Sequence, residues 1–134
     1  MRRILLVLAL AAAVLPATIQ PASACSCIAV SPEELAKSAK VVFTGQARSV
    51  TDDGTFLIVR FRTRIVYKGA VPRHLDVITS NQSGVCGFPF HDGKRYTVFG
   101  GKIRGAETST NLCTATKPGG IHPPKFDLPR GNRR

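Results

Sequence analysis

The stretch Thr55-Phe56-Leu57-Ile58-Val59-Arg60-Phe61-Arg62-Thr63-Arg64-Ile65-Val66-Tyr67 decides the fold class. Leu57, Val59, Phe61, Ile65 and Tyr67 alternate with Ile58, Arg60, Arg62 and Arg64. This is the period of two expected of a long strand with one face in a core and the arginines on the wet face. Lys68-Gly69 ends it, and Thr51-Asp52-Asp53-Gly54 ahead of it is a turn by composition.

Upstream of that turn, residues 41–47 are β-branched and apolar enough for a first strand. Before them, Ser31 can cap a helix, Pro32 suits its first position and Glu34 can bond back to the cap. A short helix is therefore predicted over Pro32–Ser38. Glu33 and Glu34 read as first-turn carboxylates that suit the helix dipole rather than as a catalytic pair, since neighbours on a helix face different ways.

Downstream, residues 75–79 and 95–99 predict a third and a fourth strand, and residues 106–113, rich in threonine and serine, a fifth. Residues 80–93 lack a strand pattern and read as a loop around Cys86, which Gly84 and Gly87 flank. From 114 the chain carries Pro118, Pro123, Pro124 and Pro129, three glycines and an excess of basic residues. That composition predicts a solvated, disordered basic tail over 117–134. Five short strands and one small helix predict an all-β fold, a closed or nearly closed five-stranded barrel.

The other end of the chain reads as an export signal. Arg2 and Arg3 give a positive start, residues 4–15 are an unbroken apolar run, and Ala22-Ser23-Ala24 has the small-x-small form of a cleavage site. Pro16 closes the run well short of the roughly 20 residues a membrane span needs. Cleavage after residue 24 starts the mature chain at Cys25 and predicts an extracellular or periplasmic protein. Acylation of Cys25 as a lipoprotein is disfavoured, because Ala22 is a poor substitute for the large aliphatic residue that processing prefers.

The mature domain then has 110 of the 134 residues, enough for one core. Two of the 19 basic residues and none of the 8 acidic ones leave with the signal, so the net charge goes from +11 to +9. Such a balance attracts polyanions. Sequence-specific nucleic-acid binding is not indicated, because the arginines around Phe61 are explained by strand alternation.

All four cysteines, Cys25, Cys27, Cys86 and Cys113, lie beyond the signal, and an even number in a small exported domain reads as two disulfides. Pairing Cys25 with Cys27 is sterically poor. Both remaining pairings tie the mature N-terminus to Cys86 and Cys113, each bridge closing a loop of roughly 60 to 90 residues worth about 4 kcal/mol in the chain-entropy model. The spacing lacks the C-x-x-C pairs of structural zinc sites, and His74, His91 and His122 are scattered surface residues without ligand spacing.

The order of these features resembles the N-terminal domain of the tissue inhibitors of metalloproteinases, a netrin-like module built on an OB-type barrel. The matching residues are Cys25-Ser26-Cys27, Ser31-Pro32, Val41-Val42-Phe43, Val66-Tyr67-Lys68-Gly69, Ser83-Gly84-Val85-Cys86-Gly87, Gly93-Lys94-Arg95-Tyr96, Gly100-Gly101-Lys102 and Thr110-Asn111-Leu112-Cys113. The likeness covers residues 25–116. It departs from the family at Lys37, which stands where the first cysteine of a third bridge would fall, and in lacking the family's disulfide-rich C-terminal domain.

The resemblance implies bridges Cys25–Cys86 and Cys27–Cys113, and inhibition of a zinc metalloprotease. The α-amino nitrogen and carbonyl oxygen of Cys25 would bind the target's catalytic zinc. Ser26 would enter the specificity pocket, and Cys25, Ser26, Cys27 and Ile28 would form one ridge with Ser83, Gly84 and Val85. No cofactor of its own is implied, since the zinc belongs to the target. The other expectation is a non-inhibitory netrin-like module that holds acidic surfaces or polyanions. An enzyme has little support, for no acid, base or nucleophile cluster is apparent. No membrane association is expected unless Cys25 is lipidated.

Overall fold

The structure, a computed structural model, describes residues 25–120 and 132–133. The predicted signal over 1–24, His122 and most of the expected tail lie outside the described residues.

The chain is mostly β, with one short helix, as the alternation predicts. In chain order the elements are α1 (Pro32–Ser38), β1 (Val41–Asp52), β2 (Phe56–Lys68), β3 (His74–Ser80), β4 (Arg95–Gly100), β5 (Glu107–Ser109), β6 (Lys117–Pro118) and β7 (Asn132–Arg133). They form a single sheet in the order β5-β3-β2-β1-β4-β6, with β7 on β2. All pairings are antiparallel except β3 with β5, which is parallel. Among the described residues no ladder joins β5 to β4 or β6. The two sides approach through the amide of Gly101, which donates to the carbonyl of Ser109 at 3.0 Å.

Two expectations about element bounds, those of β1 and β5, are corrected. β1 runs on to Asp52 instead of ending at Ala47, because residues 49–52 continue the hairpin ladder opposite Leu57 to Arg60, and ladder bonds use backbone groups whatever the side chains. β5 is only Glu107–Ser109 instead of 106–113. Beyond it threonine side chains supply the bonds a strand would have made. The amide of Phe99 donates to the hydroxyl of Thr116 at 2.9 Å, and the carbonyl of Phe99 accepts from the hydroxyl of Thr110 at 3.0 Å. Within the described part of the tail, Lys117–Pro118 pairs with β4 and Asn132–Arg133 with β2; open strand edges accept any backbone. The loop after β3 contains a single 3-10 turn at Ser83–Val85 and also contributes to the core, which its lack of a strand pattern conceals.

The inward residues Val59 and Phe61 of β2 meet Phe43, Leu75, Val77, Tyr96 and Val98 in the main core. Phe88 and Phe90 of the 80–93 loop complete it, with edge-to-face contacts of Phe90 to Phe61 at 5.5 Å and to Tyr96 at 4.9 Å. Rings in this arrangement add about 0.5–1.5 kcal/mol per pair beyond their buried area. A second cluster of Val42, Tyr67 and Phe99 takes Ala36 of α1. The helix is held at both ends, by the amide of Glu34 donating to Ser31 Oγ at 3.2 Å and by Lys68 Nζ donating to the carbonyls of Ala36 and Lys37 at 3.0 and 2.7 Å. Ser31 thus caps as predicted, and a lysine on its last carbonyls suits the helix dipole.

On the outer face Arg60 grips Asp76 across the β2–β3 pair with two bonds of 2.9 Å. That hydrogen bond holds the Asp76 carboxyl below the ordinary aspartate value, outweighing the opposing cost of partial burial, and the charge attraction of Arg60 adds less. A depressed carboxylate stabilises the fold above its unfolded pKa of about 3.9 and loses that contribution as pH falls through its lower folded value. Arg60 is well exposed, so solvent screens most of the pair's attraction. Urea melts are expected to show Asp76→Asn slightly less stable than the native protein at pH 7, with the difference shrinking as the pH is lowered below about 3.9.

Candidate functional site

Two disulfides tie the N-terminal segment to the 80–93 loop and to the turn after β5. Cys25 is bonded to Cys86 with Cα atoms 5.0 Å apart, and Cys27 to Cys113 at 5.2 Å. This is the pairing that the family resemblance implies. Two formed bridges suit an extracellular or otherwise oxidising compartment. Among the described residues no helix is long and apolar enough to cross a membrane.

The four sulfurs lie within 4.8 Å of one another. One cysteine each from the 80–93 loop and the turn after β5 therefore meets the two of the N-terminal segment in a single knot. A tetrathiolate metal site also needs four converging sulfurs. Here every sulfur is consumed in an S–S bond, so the knot offers no thiolate. His74 and His91 are exposed and join no metal-ligating group among the described residues.

The knot fixes a segment that belongs to no helix or strand. Cys25 is half-buried, Ser26 and Cys27 are exposed, and Ile28 is 88 % exposed. Opposite them the 3-10 turn exposes Gly84 and leaves Val85 60 % exposed. Leu112, also exposed, joins the same edge through its amide, which donates to the carbonyl of Cys86 at 2.8 Å. Sequence reading did not single out Leu112 for the ridge, although its place beside Cys113 is a signal that could have done so. Three large apolar side chains turned to water around a rigid knot are what an interaction surface presents.

Cys86 itself stands in the left-handed region, at φ 57° and ψ 33°, where a non-glycine residue costs on the order of 1 kcal/mol. It is the only such non-glycine residue among those described. The conformation turns the chain out of the 3-10 turn and aims the sulfur at Cys25. The next residue, Gly87, lies so close to β3 that a Cβ there would overlap the Ser80 carbonyl oxygen. The amide of Phe88 then donates to Thr79 Oγ1 at 2.8 Å. The loop is thereby pressed onto the end of β3, which is what presents Cys86 to the N-terminal segment.

Beside the knot lies a recess of about 320 Å³, lined by Leu57, Phe88, Pro89 and Leu112 with the polar residues Ser80, Asn81 and Gln82. The chain matches no protein-family model, and no curated protein matches it.

Proposed function

We propose that the protein is a secreted inhibitor of zinc metalloproteases that chelates the target's catalytic zinc through the α-amino nitrogen and the carbonyl oxygen of Cys25. The observation that carries this reading is the knot. Cys25 is bridged to Cys86 at a solvent-facing edge, with Ile28 and Val85 exposed on either side. The fold supports it as well. The strand order, the parallel β3–β5 pair and the Gly101–Ser109 bond suit a five-stranded OB-type barrel of the netrin-like kind.

A catalytic zinc keeps one coordination position open beside its three protein ligands. Signal cleavage before Cys25 frees an amine of reference pKa about 7.7–8.0, which gives up its proton easily next to the metal near neutral pH. The amine and the adjacent carbonyl then fill the open position and displace the water the protease needs. The Cys25 sulfur, held in its bridge, takes no part. Ser26 follows into the specificity pocket, while Ile28 and Val85, with the backbone of Ser83 and Gly84, cover the rim of the cleft. Because the ridge is stapled before it binds, little ordering cost is left to the encounter.

Insertion of one alanine ahead of Cys25 tests this directly. The extended protein is expected to keep its two bridges and its melting temperature but to lose inhibition of every metalloprotease that the mature protein blocks, in a titration of residual peptidase activity. Equal inhibition by the two forms overturns the mechanism.

A further inference from the structure

On the outer face of the sheet, away from the knot, three arginines from three strands surround one recess. Arg64 of β2, Arg95 of β4 and Arg133 of β7 line a cavity of about 310 Å³ whose remaining lining is Thr44 and Ile65. Small Thr44 on the central strand β1 makes the hollow. It pairs with Ile65 on one side and Thr97 on the other, and its hydroxyl lies 3.3 Å from that of Thr97.

The arginines are held on paired strands and are exposed. Among the described residues no carboxylate lies within ion-pair distance of any of them. Arg60, on the same face of β2, shows what a satisfied arginine looks like here, with both carboxylate oxygens of Asp76 at 2.9 Å.

The positive face continues past the recess. Gln46 of β1 has Arg62 and Arg95 as its cross-strand neighbours, and Arg48 Nη1 donates to Gln46 Oε1 at 3.2 Å. From Thr44 to Arg48 the band extends about 13 Å along β1, at about 3.3 Å per residue. That is longer than one small anion needs. Guanidinium forks favour oxyanions with two or more free oxygens, so sulfate or phosphate esters suit it. Phe43, Phe61 and Tyr96 of these strands are buried on the opposite face, Tyr67 and Phe99 are buried in the second cluster that takes Ala36 of α1, and exposed Phe56 lies at the far end of β2. The band therefore lacks the stacking surface that binds single-stranded nucleic acid.

We propose that this band is a binding site for a sulfated polysaccharide, with one sulfate group seated among Arg64, Arg95 and Arg133. The site shares no residue with the knot, so it operates whether or not Cys25 inhibits a protease.

The test compares three disulfide-bonded proteins: the native chain, R64Q/R95Q/R133Q, and R73Q/K102Q/R104Q as a control that removes the same charge elsewhere. Heparin oligosaccharide is titrated into each at several salt concentrations, with near-ultraviolet circular dichroism as the check on folding. The recess variant is expected to lose affinity by about tenfold or more, and the control by less than about threefold. The dependence of log affinity on log salt is expected to flatten by roughly two to three for the recess variant. Equal losses in the two variants overturn the site, since net charge alone would then explain binding. Oligonucleotides or phosphatidylserine vesicles that bind the native chain more tightly than heparin, and lose it in the recess variant, overturn the choice of ligand. Recess substitutions tolerated with heparin affinity unchanged overturn the proposal altogether.

Discussion

Cys25→Ser combined with Cys86→Ser is expected to abolish tight inhibition although it leaves in the chain both atoms proposed to coordinate the target's zinc. The amine and carbonyl belong to the backbone of residue 25 and survive the substitution. Their position does not. The bridge spans 61 residues of sequence and is worth about 4 kcal/mol in the chain-entropy model, a large part of the roughly 5–15 kcal/mol that stabilises a small domain. Thermal melting is expected to fall by on the order of 20 °C. At a temperature where the variant is still folded, its first residues are tethered only at Cys27, and ordering them on the zinc costs affinity. Inhibition measured there separates position from global stability. A folded variant that inhibits as well as the native protein shows that the bridge contributes stability alone.

Gly87→Ala is the second large effect. A methyl group at this position would overlap the Ser80 carbonyl oxygen, a backbone atom that cannot swing aside as a side chain could. The loop must lift from β3, which strains the Phe88–Thr79 bond and draws Phe88 and Phe90 from the core. A loss of roughly 3 kcal/mol or more is expected from urea melts. Gly54 gives the contrast. It sits in the β1–β2 turn at φ +91°, and a methyl group there would meet nothing within 4 Å, so Gly54→Ala costs only about 1 kcal/mol of backbone strain. Should the two substitutions prove equally mild, the close approach of loop and strand is not what holds Cys86 in place.

The strands were legible where burial is one-sided. β2 announces itself because Val59 and Phe61 go in while Arg60, Arg62 and Arg64 stay out. The last residues of β1 could not be read this way, for Arg48 to Asp52 are mostly wet on both faces and are held through the backbone. Phe88 and Phe90 were hidden because one glycine and a proline interrupt any period, and a loop packed on a strand end has none to show. The even count of cysteines pointed correctly to two disulfides, whereas their meeting at one point is a product of topology. It requires β3 and β5 to end side by side, and the parallel β3–β5 pair has no signature in local composition. The arginine recess was likewise invisible, since Arg64, Arg95 and Arg133 are far apart in the chain and only strand register brings them together.

The 4.8 Å gathering of all four sulfurs bears on how this protein must be made. A thiolate freed from either bridge has the other bridge within reach as an electrophile, and exchange runs through such an attack. Partial reduction should therefore shuffle partners rather than leave one bridge quietly open, giving isomers of equal mass that differ only in connectivity. Preparations refolded from reduced chain call for peptide mapping of both linkages before any assay, because counting lost hydrogens cannot tell the isomers apart.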